Sequence, residues 1–248
     1  MRTLKVTLAY DGTRYFGWQV QNQEPTLQST IEAAFKTVTG TAVRVTASGR
    51  TDAGVHALGQ VLSVRVDSQL SDDDLARAIQ ANTPHDIFIH QVKTVHDTFH
   101  AIREARRKRY RYVIQHGRSL DIFDRLYAWH IYWALDVPAM RQAASHFLGE
   151  NDFASFQASG SDRKTTVRTI YDLTMQSRNE RGAEKLDIEI EADGFLYNMV
   201  RNMVGTLVEV GRAKRAPDSI PEVIAARNRI ACGPTAPAHG LFLLHVEY

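Results

Sequence analysis

The chain has 248 residues, enough for one large domain or two small ones with a core each. Thirty Lys and Arg against 28 Asp and Glu leave a formal net charge of +2, so no overall basic excess announces a polyanionic partner, and any such site must come from where the charges sit. A single cysteine, Cys232, excludes an internal disulfide and a cysteine zinc site, while the alternating start MRTLKVTLAYDG and the lack of any run near ~20 apolar residues exclude a signal peptide and a membrane span, so a soluble intracellular protein is expected.

Leu4, Val6, Leu8 and Tyr10 alternate with polar neighbours and predict a half-buried strand. Thr26 can cap a helix with Leu27, Ile31, Ala34, Phe35 and Val38 inward, ending at Gly40. Strands are expected over 43–46 and through Leu62, Val64 and Val66, separated by the loop SGRTDAGVHALG. Ser71 caps a second helix whose first turn, Asp72, Asp73 and Asp74, suits the positive end of the helix dipole. Residues 87–95 close this half as a strand, giving the order βαββαβ.

The second half repeats the order. A strand is expected over 108–115, a helix over 136–148 stopped by Gly149, and a hairpin of 167–176 and 185–192 turning at 179–182. A helix over 195–210 has Met199, Met203, Val204 and Leu207 inward and ends at Gly211; a short helix over 220–229 precedes a last strand, 241–248. The expected class is therefore α+β, two tandem ferredoxin-like (split βαβ) halves, residues 1–105 and 106–248, whose sheets flank a central basic cleft.

Chemistry concentrates in three places. In 48–56, two glycines bracket Arg50, Thr51 and Asp52. Two readings stand: a polar turn in which Asp52 bonds its own backbone, and a loop that presents Arg50 and Asp52 to a cleft, with the carboxylate kept ionised by a guanidinium as a nucleophile or electrostatic stabiliser requires. From Arg103 to Tyr112 the run REARRKRYRY holds six cations, Arg103, Arg106, Arg107, Lys108, Arg109 and Arg111. Strand alternation sends Arg109 and Arg111 one way and Tyr110 and Tyr112 the other: ordinary core tyrosines, or charge for phosphates beside rings for stacking bases. Arg201 lies beside the apolar stripe of the 195–210 helix, either snorkelling to solvent or partnering a buried carboxylate. The ten histidines show no metal-ligand spacing, and HExxH, a P-loop and GxGxxG are absent, against a metal hydrolase, an NTPase and a Rossmann dehydrogenase.

Six colinear blocks carry a resemblance. They are YDGTRYFGWQVQ, SGRTDAGVHALGQV, FHA followed by KRYRYVI, GENDFASF, DGFLYNMVRNMVGTLVEVG and TAPAHGLFLLHVEY. With them the chain resembles the tRNA pseudouridine synthase A family over nearly its whole length. The resemblance implies two ferredoxin-like halves around a basic cleft, a cytoplasmic homodimer, and tRNA as substrate, modified at uridines 38 to 40 of the anticodon stem-loop. It implies Asp52 as the catalytic aspartate, Arg50 as the loop arginine that helps extrude the nucleotide, Tyr110 as the ring packing on uracil, and Arg201 as the partner of the aspartate. The chain departs from the family pattern at Val20 and Ile102, where GWQRQ and FHAR often carry arginine.

That isomerisation breaks N1–C1′, turns the uracil and joins C5 to C1′ with no change in composition or oxidation state, so neither cofactor nor metal is expected. An ionised carboxylate acting at C1′, or at C6 of uracil, is required. Two other classes remain: a non-catalytic RNA-binding protein with two ferredoxin-like platforms, which has no need of Arg50 and Asp52 in a glycine-bracketed loop, and a glycoside hydrolase, which needs a second carboxylate across the bond.

Overall fold

The computed structural model describes residues 1–21, 24–158, 160 and 165–248. The chain divides into two units, Met1–Arg106 with Phe242–Tyr248, and Arg107–Leu241. It is a mixed α+β protein with five α-helices among the described residues. None of these helices is long and apolar enough to cross a membrane.

In the first unit, β1 (Arg2–Tyr10) lies between β3 (His56–Val66) and β4 (Ile87–Val95), antiparallel to both. The alternation seen in the sequence places Leu4, Val6, Leu8 and Tyr10 in the core. The helix α1 (Leu27–Thr39) begins at Thr26, whose hydroxyl accepts from the Ser29 N–H while Ser29 returns a bond to the Thr26 N–H. It buries Leu27, Ile31, Ala34 and Phe35 and stops at Gly40 in the left-handed conformation. Ser71 caps α2 (Asp72–Ala81), and Asp72 accepts from both the N–H and the hydroxyl of Thr94 at 2.7 Å, tying α2 to β4. The strand expected over 43–46 shrinks to β2 (Thr46–Ala47), paired with β3. The cause is α1: the Glu32 carboxylate accepts from the Val45 N–H at 3.0 Å and Gln28 donates to the Val45 carbonyl at 3.3 Å, so these groups are satisfied without a ladder.

In the second unit, β5 (Arg107–His116), β9 (Ala183–Ala192), β8 (Val167–Glu180) and β7 (Gly149–Asp152) form consecutive antiparallel neighbours, and β6 (Trp129–Ile131) runs parallel to β5. The β8–β9 turn sits at Arg181 and Gly182, with φ of 49° and 77°, the conformation that matches strand twist in a two-residue hairpin. Asp136 caps α3 (Val137–Ser145), shorter at its C-terminus than the expected 136–148. The helix α4 (Met199–Gly211) starts four residues later than expected, because Asn198 takes a positive φ of 58° that no helix can continue through. The helix α5 (Ile220–Ala225) ends before Arg227, also at positive φ. The last strand, β10 (Leu241–Glu247), read with the second half in the sequence, pairs in parallel with β3 of the first unit through Phe242 opposite His56 and Leu243 opposite Ala57.

Candidate active site

The first unit carries Arg50 and Asp52 between β2 and β3, and the polar-turn reading accounts for only part of what holds that loop. The Val55 N–H does return to the Asp52 carbonyl at 3.1 Å. The rest of the loop is bonded to residues remote in sequence. Gln60 on β3 is fully buried and uses its amide completely. Its oxygen accepts from the Ser48 hydroxyl at 2.7 Å and the Val61 N–H at 3.1 Å, and its nitrogen donates to the Gly49 carbonyl at 2.9 Å and the Tyr10 hydroxyl at 3.3 Å. Tyr10 and Thr51 share a hydrogen bond at 2.8 Å between their hydroxyls. Burial pushes the Tyr10 phenol up to about 12, so it stays neutral through the working range. The loop is thus held from beneath at Ser48, Gly49 and Thr51, while Arg50 is exposed and Asp52 half-buried.

The segment YDGTRYFGW closes the other side. The Trp18 N–H donates to the Thr51 carbonyl at 2.9 Å, the Gly54 N–H to the Tyr15 carbonyl at 3.4 Å, and the Gly12 N–H to His56 Nδ1 at 3.1 Å. Gly17 sits at a φ of +84°, and a Cβ there would stand 2.8 Å from the Thr51 carbonyl oxygen, so only glycine permits this approach. Two sequence blocks that look separate, 10–18 and 48–61, therefore build one loop.

The second unit carries Tyr110, Arg201 and most of the basic run. Tyr110 and Tyr112 face the core as alternation predicts; Tyr110 meets Phe195 edge-on at 5.1 Å, and the Tyr112 hydroxyl donates to the Pro237 carbonyl at 2.7 Å. Arg201, in the first turn of α4, does not snorkel: its Nε donates to the Ala236 carbonyl at 2.7 Å and its Nη1 to Asn198 Oδ1 at 2.9 Å. The 229–236 segment that supplies this carbonyl is itself anchored. Arg229 donates to the Gly233 carbonyl, Asn202 Oδ1 and Thr235 Oγ1 at 2.9, 3.1 and 3.0 Å, and the Gly233 N–H donates to the Thr206 hydroxyl at 3.0 Å. A Cβ on Gly205 would stand 1.7 Å from the Pro234 carbonyl oxygen, so the segment and the helix touch backbone to backbone.

Three of the six cations are committed to carboxylates. Arg109 pairs with Asp172, Glu189 and Glu191 at 2.9, 3.3 and 3.1 Å, Arg111 with Glu189 at 2.7 Å, and Arg107 with Glu191 at 3.3 Å. The ladder register explains this, since Glu191 lies opposite Arg109 and Glu189 opposite Arg111. Three guanidinium groups meet three carboxylates, and this face of β5 carries no charge excess. Arg103 and Arg106, in the first unit, are exposed with no ion pair among the described residues. Among those residues no group of three or more His, Cys, Asp or Glu side chains is arranged to hold a metal ion.

The first unit thus holds a locked loop with an exposed Arg50 and a half-buried Asp52, and the second a half-buried Arg201 fixed at the start of α4. A family model described as tRNA pseudouridine synthase matches residues 7–103 and 143–248. The chain is 42% identical over 248 residues to tRNA pseudouridine synthase A of Thermoanaerobacter sp. (strain X514), and 46% identical over 250 residues to the protein of that name from Moorella thermoacetica, covering 100% of both chains in each case. Among solved structures, the archaeal box H/ACA sRNP Nop10–Cbf5 complex aligns at a TM-score of 0.36 and 13% identity, covering 83% of this chain and 43% of that one, a likeness too slight to carry weight. The chain belongs to the tRNA pseudouridine synthase family, whose members are isomerases.

The support beneath the loop yields a first prediction. Tyr10→Phe removes the hydroxyl shared by Thr51 and Gln60, leaving buried groups unpaired at a cost of about 1–2 kcal/mol. Turnover on tRNA is expected to fall roughly tenfold, through a loosened Asp52 loop, with Kd for tRNA within about twofold of the parent. Unfolding curves, single-turnover rates and filter binding check this; a destabilised variant with parental turnover would confine the hydroxyl to a folding role.

Proposed function

We propose that this chain isomerises uridines 38 to 40 of the tRNA anticodon stem-loop to pseudouridine, with Asp52 as the nucleophile. The observation that carries the reading is the Asp52 loop itself, fixed through Gly49 and Thr51 by Tyr10 and Gln60 while its carboxylate is left half-buried. The carboxylate acts at C1′ or at C6; N1–C1′ breaks, the uracil turns, C5–C1′ forms, the C5 proton leaves and N1 ends protonated. Arg201 supplies counter-charge for the carboxylate, and Tyr110 a ring against the uracil. Arg50 holds the extruded nucleotide, whose removal from a stacked stem costs a few kcal/mol. Each unit is read as a ferredoxin-like half, supported in the first by β4–β1–β3 order with β2 on β3. The same reading extends to a cytoplasmic homodimer. Mapping pseudouridine in bulk tRNA before and after treatment with the purified protein tests it: new pseudouridine at 38 to 40 is expected, whereas tight tRNA binding with none formed would leave the non-catalytic RNA-binding reading.

The sequence offers the whole basic run, Arg103, Arg106, Arg107, Lys108, Arg109 and Arg111, as a phosphate site. The ion pairs of Arg107, Arg109 and Arg111 shift the expected phosphate binding toward Arg103 and Arg106. Replacing these two with glutamine is expected to flatten the slope of log K against log salt by about 0.7–0.9 for each phosphate no longer neutralised. An unaltered slope would put the phosphates elsewhere.

A further inference from the structure

A hollow of about 320 Å³ lies in the second unit between the β6 segment and the C-terminal half of α4. This is within the roughly 300–1,000 Å³ of small-ligand sites. Its buried lining is apolar, with Ile131 and Val208; its rim carries Tyr132, Trp133, Arg212 and Lys214. The rim is rigid. The Gly117 N–H donates to the carbonyls of both Ile131 (3.0 Å) and Trp133 (3.2 Å), and the His130 ring bonds the Gly117 carbonyl at 3.1 Å, so the residues after β6 are pinned to the end of β5.

On that rim two large aromatic side chains are left in solvent, Tyr132 at 54% and Trp133 at 56% exposure. Trp133 is braced by the Arg212 guanidinium, which stacks 4.1 Å from the ring centre, and by Tyr132 edge-on at 5.9 Å. The one carboxylate in the lining, Glu209, is paired with Arg215 at 3.2 Å, so the charge presented is that of Arg212 and Lys214. Exposed aromatic faces beside cations do not suit a small apolar ligand, which calls for an enclosed apolar lining. They suit a base and its phosphate.

We propose that this hollow is a second RNA subsite, which takes one unpaired nucleobase of the tRNA by stacking on Trp133, with Arg212 and Lys214 on the adjoining phosphate. It rests on the reading of tRNA as substrate and adds to it a contact made by residues that take no part in the isomerisation.

The experiment measures Kd for full-length tRNA, salt dependence, sedimentation and pseudouridine formation for the parent, Trp133→Ala, Trp133→Phe and Arg212→Gln. Trp133→Ala is expected to weaken binding roughly tenfold, and Trp133→Phe, which keeps a ring, by no more than about twofold. Arg212→Gln should lower the salt slope by about one phosphate. Turnover at saturating tRNA stays at the parent's level in all three. Parental affinity in Trp133→Ala, with normal parent turnover, overturns the subsite alone. Loss of an oligomer in Trp133→Ala also overturns it, because the occupant is then a second copy. A parent that binds tRNA in a Trp133-dependent way but forms no pseudouridine upholds the subsite and removes the proposed function.

Discussion

Asp52→Asn is expected to fold, to bind tRNA with the parent's affinity and to form no pseudouridine, a loss on the order of 10⁴-fold or more. The substitution is nearly isosteric, and several bonds that set the path of the loop use groups it leaves untouched. These are the Gly49 and Thr51 carbonyls, the Thr51 hydroxyl and the Asp52 carbonyl. What changes is the charge and nucleophilicity of one group. An amide can still accept a hydrogen bond but cannot form the ester-like adduct at C1′ or attack C6. Single-turnover assays with radiolabelled tRNA, alongside filter binding and thermal unfolding, separate the cases. Residual turnover well above background in a folded, tRNA-binding variant would take Asp52 out of the mechanism. A variant that fails to bind would mean the carboxylate positions the RNA.

The polar residues of that loop stand out in the sequence, but its support does not. Arg50 and Asp52 stand out because two glycines bracket them between strands. Gln60 and Tyr10 do not, since a buried glutamine on a strand and a tyrosine at a strand end look like ordinary residues until the loop folds over them. Gly17 lies in a loop, and nothing local reveals that its missing Cβ leaves room for the Thr51 carbonyl. The elements with strong periodicity and caps, α1 and α2 above all, matched expectation because local signals determine them. Those that failed were set by distant partners. Residues 43–45 are drawn out of a strand by Glu32 and Gln28 on α1, and the short β6 and β7 carry too few residues to show a period. The basic run shows the same dependence on distant partners. Its charges read as available until the register placed Glu189 and Glu191 of β9 across from Arg111 and Arg109. Asn202 and Thr206 lie four residues apart within the apolar run of α4. Polar side chains at that spacing on a buried face signal a tertiary hydrogen-bond partner, here the 233–235 segment.

Lys185→Met is expected to destabilise the protein by roughly 3–5 kcal/mol, the largest stability effect among these variants. Lys185 is fully buried on β9, where its ammonium donates to Asp121 and Glu180 at 3.1 Å each and to Asp124. Arg181 bonds the same three carboxylates. The cluster ties the 121–124 segment to the β8–β9 turn, and Gln115 of β5 joins it through the Asp121 backbone at 2.8 and 3.2 Å. Methionine fills the volume but leaves three carboxylates with Arg181 as their shared cation, Arg178 reaching only Glu180 among them. The pH dependence identifies the cause. Burial pulls the Asp121 carboxyl upward, but bonds from Lys185, the Phe123 N–H and Arg181 outweigh it, holding the group below its ordinary range. Glu180 is held low chiefly by its bond from Lys185. A carboxyl whose folded pKa is depressed stabilises the native state above its unfolded pKa, about 4, and that stability is lost as the pH falls through the folded value. Lys185 itself is shifted the other way: burial lowers it, but the carboxylates raise it more, so its share is lost only at strongly alkaline pH. The gap between parent and variant, measured by urea unfolding, should therefore stay level from pH 8 to about 5 and narrow below about 4, as the carboxylates protonate in both proteins. A gap of the same size at every pH would trace the loss to side-chain packing, and the cluster would then contribute nothing through its charges.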